Sequence, residues 1–158
     1  MTARILVIED DPLARQAVID CINAAPDCSL FAAAPDYDEG RRLIAEGGFD
    51  LALVDLDLQG RPGVDLIADI VKRGAKALVL SILGDERTVV EAIAAGADGY
   101  LLKEQSFGDL PQSIDLVMRG EAPISPGAAR HLLRQLRPSQ DADFDLSPRE
   151  RQMLEELA

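Results

Sequence analysis

Residues 51–57 read LALVDLD, a short apolar run that stops in acid. The unbroken apolar stretch 51–54 lacks the alternation of a half-solvated strand and fits one buried on both faces of a parallel sheet. Asp55, Leu56 and Asp57 stand at its carboxyl end. The same layout recurs on either side. Residues 4–8 (RILVI) run into Glu9-Asp10, residues 77–82 (ALVLSI) carry Ser81, and residues 99–102 (GYLL) are followed by Lys103. A further strand is expected over 29–33.

Helical patterns fill the intervals. Asp11-Pro12 reads as a helix start, Asp as N-cap and Pro at the first helical position. Leu13, Ala17, Val18, Cys21 and Ile22 follow at helical spacing. Residues 35–46 form a second pattern, stopped by Gly47-Gly48. Residues 64–72 present Leu66, Ile67 and Ile70 on one face. Residues 86–95 turn Val89, Val90 and Ile93 inward, with Gly96 as the C-cap. A last helix is expected over 109–118. Five strand–helix units in succession predict a doubly wound α/β fold, a five-stranded parallel sheet with helices on both faces. In such sheets functional groups gather at the carboxyl ends of the strands.

Composition agrees. The 158 residues suffice for one domain with some chain to spare, and 47% hydrophobic content supports a core. Aromatic residues make up only 4%, so Leu, Ile, Val and Ala must build it. A net charge of −12 opposes nucleic acid, whose binding needs a basic face. Cys21 and Cys28 are too few and too loosely spaced for a zinc site or a disulfide framework, and Cys21 is expected in the core. No apolar run approaches the ~18 residues of a membrane span, and the N-terminus lacks the layout of a signal peptide. The expectation is a soluble, cytoplasmic protein with no membrane partner.

The strand ends bring sequence-distant groups together: Glu9 and Asp10, Asp55, Ser81 and Lys103. Taken singly, each has a plain explanation, as solvated acids, a turn serine or a surface lysine. Jointly they make a pocket of carboxylates, a hydroxyl and an amine. Clustered carboxylates repel one another, and a divalent cation relieves the conflict. Hard oxygen donors suit Mg²⁺, which keeps several waters and binds phosphate oxygens. An Asp beside that ion and a lysine can attack a phosphoryl donor.

These residues lie in segments that resemble the response-regulator receivers of two-component signalling, over about residues 3–120. VIEDDPLAR (7–15) resembles the acidic-pair segment and VDLDLQGRPG (54–63) the phosphoacceptor segment. VLSILGDE (79–86) is similar to the segment with the switch hydroxyl, and GADGYLLKE (96–104) to the aromatic-switch and lysine segment. The resemblance implies the receiver, flavodoxin-like, form of the α/β fold. It implies Asp55 as phosphoacceptor and Mg²⁺ held by Glu9, Asp10, Asp55 and the Asp57 backbone carbonyl. Ser81 would be the switch hydroxyl, Tyr100 the switch aromatic and Lys103 the phosphate-contacting amine. A register with Asp10 and Asp11 as the acid pair is the weaker alternative, since Asp11 is needed as cap before Pro12. A sensor histidine kinase is implied as phosphodonor, and a homodimer is a candidate assembly. Gln59 stands where the family usually has proline, so the loop after Asp55 is expected to be looser. Leu83, two past the serine, is bulkier than in many members.

The tail differs in character. Residues 1–120 read as the receiver, 121–145 as a linker with a short helix, and 146–158 as the first helix of a further domain. The short helix starts at Ser125-Pro126, with Leu132, Leu133 and Leu136 as its apolar residues. Residues 138–145 look like linker. Ser147-Pro148-Arg149-Glu150 forms a capping box. ISPGAARHLLRQL and FDLSPRERQMLEELA resemble the linker and opening helix of the LuxR-type helix-turn-helix domain of NarL/FixJ regulators. The recognition helix would lie past Ala158, so DNA would be a partner of a longer parent only, and no DNA-binding residue is expected in this chain.

Two rival readings remain. Asp55-Leu56-Asp57 also resembles the DxD motif of haloacid-dehalogenase-type phosphatases, with Ser81 and Lys103 in the same order. In those enzymes the acid pair follows the lysine, whereas Glu9-Asp10 precedes Asp55. A receiver acting through protein contacts alone is the other. The acidic balance predicts no sequence-specific DNA retention by this chain at physiological salt. Titration of promoter fragments at two salt concentrations checks it, and nanomolar specific retention would refute it.

Overall fold

In the computed structural model, residues 2–81, 86–103 and 109–136 are described. Five strands form one parallel sheet: β1 (Ala3–Ile8), β2 (Cys28–Ala34), β3 (Leu51–Val54), β6 (Lys76–Ser81) and β7 (Gly99–Leu102). Their spatial order is β2-β1-β3-β6-β7, with every neighbouring pair parallel. β4 (Asp57–Leu58) and β5 (Arg61–Pro62) make a separate antiparallel pair between β3 and the next helix. The helices are α1 (Pro12–Ala24), α2 (Tyr37–Glu46), α3 (Val64–Lys72), α4 (Glu86–Ala94), α5 (Leu110–Met118) and α6 (Pro126–Leu136). This is the flavodoxin-like receiver fold with a C-terminal helix added.

Alternation along each strand explains the continuous apolar runs, because successive side chains enter opposite layers. Leu6, Ile8, Ala52, Val54, Ala77, Val79, Tyr100 and Leu102 pack on one face with α2, α3, α4 and Ala128 of α6. Ile5, Val7, Leu51, Leu53, Leu78, Leu80 and Leu101 pack on the other with α1 and α5. Both faces of the central strands are dry, so their interior positions are apolar, whereas β2 at the sheet edge is only partly buried.

The element boundaries follow the local signals. Asp11 caps α1, its side chain accepting from the Leu13 amide at 3.3 Å, with Pro12 at the first position. Asp36 caps α2 in the same manner, accepting from Glu39 at 2.8 Å, so that helix starts at Tyr37 rather than at the expected residue 35. The expectation of Cys21 in the core fails, and several apolar residues of the helices face solvent. Leu13 stands 82% exposed, in the first turn of α1 and off its buried face. Leu133 and Leu136 are also exposed, and α6 instead seats Ala128 and Leu132 on the core. Cys21 is only partly buried, at the margin of the second layer. The start of the segment expected as linker includes a parallel bridge from Ile124 to Tyr100. The expected linker over 138–145, the helix opening at Ser147, and Leu83 lie outside the described residues. Among the described residues no helix is long and apolar enough to cross a membrane.

Gly63 marks the closest backbone approach near the site. Its amide donates to the Leu56 carbonyl at 2.8 Å, closing the segment that carries β4 and β5. A Cβ there would lie 2.4 Å from the Asp55 carbonyl oxygen and 3.0 Å from Leu56 Cα, backbone atoms that cannot swing aside. Gly63→Ala is therefore expected to destabilise the fold by about 1–3 kcal/mol, in the range of an overpacked core. Urea unfolding checks it, with an unchanged midpoint as the contrary result.

Candidate functional site

The sheet order reverses direction between β1 and β3, and the crevice above that point is where such sheets bind ligands. β1 and β3 run in register up to the Ile8–Val54 pair, and the Asp55 amide still donates to the Ile8 carbonyl at 3.0 Å. Glu9 and Asp55 therefore emerge side by side. Both are buried, at 3% and 7% exposure. Asp10 follows Glu9 in a half-buried position. One carboxylate oxygen from each of Glu9, Asp10 and Asp55 lies within 4.8 Å of the others.

Lys103 approaches from the far side. It follows β7, two strands from β3, and its side chain reaches over the end of β6. Its Nζ lies 3.3 Å from Asp55 Oδ2 and forms an ion pair with Glu9 Oε1. Ser81 is the last residue of β6 and is buried. It pairs with Leu102, one residue before Lys103. Tyr100 is fully buried in the layer that also holds α4. The expected residues from β1, β3 and β7 thus meet in one cluster, with Ser81 closing the adjacent strand end.

Asp11 is not part of this set. Its side chain caps α1, and its amide donates to Glu9 Oε2 at 3.1 Å. Asp57 is exposed. Its amide donates to Asp55 Oδ1 at 3.1 Å, while its own carboxylate accepts from the Gly60 amide at 3.1 Å. That carboxylate caps the tight turn and is absent from the acidic cluster.

The loop after Asp55 is tied down, contrary to the expectation drawn from Gln59. Gln59 has φ +55° and Gly60 φ +84°, the left-handed pair that a two-residue antiparallel turn favours. Gln59 donates its amide to Asp10 Oδ2 at 3.0 Å. Proline could neither reach that φ nor supply that donor. Arg61 adds an anchor, stacked 4.0 Å over the Tyr37 ring and paired with Asp38 at 2.7 Å. Neither was visible in sequence: the Gln59–Asp10 bond depends on a positive φ that a glutamine does not advertise, and the Arg61 clamp is a tertiary contact between distant segments.

Charge dominates the chemistry. Burial raises Glu9 from its ordinary 4.5 to about 7, against the pull of Lys103 and the Asp11 amide, and the nearby Asp55 charge adds to the rise. Burial also works against the Lys103 ammonium, but Glu9 and Asp55 together outweigh it and hold that ammonium above its usual range. Among the described residues three carboxylates gather around the Lys103 ammonium, and the Arg15 guanidinium donates to the Glu9 carbonyl at 3.0 Å. Hard oxygen donors at this separation fit a divalent cation of the Mg²⁺ class.

The raised Glu9 pKa has a definite sign. Between about 4.5 and about 7 the folded state keeps a proton that the unfolded chain has released. Stability is therefore expected to fall as pH rises through that window and to level off above it. Glu9→Gln should flatten the slope, and saturating Mg²⁺ should flatten it in the unchanged chain. Urea midpoints across the window check this. An equal slope in Glu9→Gln would assign the loss to other groups.

Comparisons with known proteins agree with this geometry. Residues 5–115 match the response regulator receiver domain family. The chain is 33% identical over 162 aligned positions to the nitrate/nitrite response regulator protein NarL of Escherichia coli K12, covering 99% of this chain and 75% of that one. It is 31% identical to the transcriptional regulatory protein DegU of Brevibacillus brevis, covering 85% of this chain and 58% of the relative. Among solved structures, a LuxR-family two-component response regulator from Aurantimonas sp. SI85-9A1 superposes with a TM-score of 0.77 at 28% identity, over 85% of this chain and 98% of that one. With a matched family domain over most of its length and its strand-end acids and lysine gathered in one pocket, the chain belongs to the response-regulator receivers of two-component signalling, in their NarL/FixJ group.

Proposed function

We propose that Asp55 accepts a phosphoryl group and that the resulting charge switches the fold between two states that control a transcriptional output. The observation that carries this is the buried Lys103 ammonium shared between Asp55 and Glu9, with Asp10 beside them. One Asp55 carboxylate oxygen attacks phosphorus, the bond from phosphorus to the donor breaks, and an acyl phosphate forms. Asp55 Oδ1 accepts the Asp57 amide and Oδ2 accepts from Lys103, so a phosphoryl group transferred onto Oδ2 would arrive beside the ammonium. Mg²⁺ held by Glu9, Asp10, Asp55 and the Asp57 backbone carbonyl would supply positive charge against the phosphoryl oxygens. Lys103 holds one of those oxygens by a charge-assisted hydrogen bond. Ser81 donates its hydroxyl to another, and Tyr100, one strand over, takes up the space its movement vacates.

The phosphodonor is a sensor histidine kinase, as for two-component regulators generally. The relatives are described as nitrate/nitrite and transcriptional regulators, which supports control of transcription as the output. A homodimer is the assembly we expect. The phosphatase alternative asks the Asp57 carboxylate to serve as acid and base at the reacting centre. That carboxylate is exposed and occupied by the Gly60 amide, so the observation favours the receiver.

Incubation with phosphoramidate and Mg²⁺ is expected to add one phosphoryl mass per chain, read by intact-protein mass spectrometry. Asp55→Asn should abolish the gain, and Asp57→Asn should retain it. Chelation of the metal should suppress it in the unchanged chain. A full gain in Asp55→Asn would end the assignment, and repeated turnover of phosphomonoesters would revive the phosphatase.

A further inference from the structure

β7 closes one side of the five-stranded sheet, yet its outer edge is not bare. Residues 123–125 run alongside it. The Tyr100 amide donates to the Pro123 carbonyl at 3.0 Å, and the Ser125 amide donates to the Tyr100 carbonyl at 2.9 Å. The next rung of a parallel ladder would join the Leu102 amide to the Ser125 carbonyl. That carbonyl is engaged elsewhere, accepting from Ala129 at 2.8 Å in the first turn of α6. The Ser125 hydroxyl takes its place and accepts from the Leu102 amide at 3.0 Å, in a buried setting. One residue therefore ends an edge segment, opens a helix and holds the strand residue that precedes Lys103.

The surroundings are built for this approach. A Cβ at Gly99 would lie 2.8 Å from the Pro123 carbonyl oxygen, so glycine is what lets the segment reach the strand. Ala128 of α6 is buried, and α6 packs on both α4 and β7. Leu102 is thus gripped from two sides, by its pairing with Ser81 on β6 and by Ser125 on the outer edge.

We propose that Ser125 is a positioning residue for Lys103 and that it couples occupancy of the phosphoryl site to the seating of α6. The proposal rests on the reading of Lys103 as the amine that meets the phosphoryl group. A lysine that must cross the end of β6 multiplies any tilt of its strand end at its Nζ, so the outer grip on Leu102 sets where the ammonium arrives. In the other direction, a phosphoryl group redistributes Lys103 among Glu9, Asp55 and the new oxygens. The strand end then shifts against Ser125, at the point where α6 begins.

The test measures the phosphorylation rate of Asp55 from phosphoramidate with Mg²⁺. Loss of one hydrogen bond in Ser125→Ala is expected to slow it roughly three- to tenfold, and Ser125→Thr, which keeps the hydroxyl, should recover most of the rate. Leu132→Ala loosens the packing of α6 on the core while leaving the Ser125 hydroxyl and its bond to the Leu102 amide in place. It should raise hydrogen exchange in α6 while the rate stays within about twofold of the unchanged chain, a shift below one hydrogen bond. In a Lys103→Gln background, Ser125→Ala should add no further slowing. An unchanged rate in Ser125→Ala beside a slow Lys103→Gln would overturn the proposal and leave the site reading standing. Equal slowing by Leu132→Ala would overturn it in favour of general packing. A normal rate in Lys103→Gln would overturn the site reading and this proposal together. In the unchanged chain, beryllofluoride with Mg²⁺ should alter exchange at the Leu102 amide and in the first turn of α6, and no change at either would refute the coupling.

Discussion

Lys103 is a buried ammonium set against two buried carboxylates, and the whole upper rim of the sheet is arranged around that imbalance. An isolated charge of either sign could not stay in this position, since burial without a partner costs far more than a fold of this size can supply. Lys103 makes Glu9 and Asp55 tolerable, and they make Lys103 tolerable. The compensation is incomplete: burial still raises Glu9 to about 7. The residual electrostatic demand gives the pocket its appetite for a cation and for a group whose oxygens can share the lysine. A pocket balanced to neutrality would be more stable and would have less to do.

The sheet makes this arrangement affordable in geometry. Parallel strands buried on both faces exclude polar side chains along their length, so polar groups collect where the strands stop. Register then decides which of them meet. The pairing of β1 with β3 runs through Ile8 and Val54, which sets Glu9 beside Asp55. The pairing of Ser81 with Leu102 sets Lys103 one step above the serine. A slip of one residue on β7 would send Lys103 to the opposite face. The two dry layers of the core therefore fix the site as firmly as any bond within it.

Most of this was legible in the sequence. Unbroken apolar runs ending in Glu9-Asp10, Asp55, Ser81 and Lys103 announce both the parallel sheet and the convergence at its rim. Asp11-Pro12 gave its cap outright, and the choice of Glu9-Asp10 over Asp10-Asp11 agrees with where the cluster forms. What escaped was tertiary or backbone in origin. The β4–β5 turn needs Gln59 at positive φ, and a glutamine carries no signal of that. The edge segment 123–125 lacks a strand's length, and its side-chain rung to Leu102 replaces a backbone bond that no periodicity records. Leu13, Leu133 and Leu136 look apolar enough for the core, but apolar residues are common on surfaces, and helical phase relative to the sheet decides which ones enter. Asp36 as the α2 cap was masked by Pro35, which draws the eye as the helix start.

If Asp55 is phosphorylated as proposed, energetics argue that the switch would work by reassigning an existing cation rather than by adding a contact. Moving a population from mostly one state to mostly the other takes several kcal/mol of differential affinity, and a single charge-assisted hydrogen bond such as one from Ser81 supplies about 1.5–3 kcal/mol. Phosphorylation adds about −1.5 to −2 charges and three acceptor oxygens beside an ammonium already held by Glu9 and Asp55. The three N–H donors of Lys103 would then be shared among Glu9, Asp55 and the new oxygens, which would shift the resting geometry of the rim. On that proposal the strand ends carrying Ser81 and Lys103 would both respond. Because β6 and β7 are paired and α4 and α6 pack against this side of the sheet, a redistribution of charge at the phosphoryl site would be passed on, under the proposed function, as a displacement of helices.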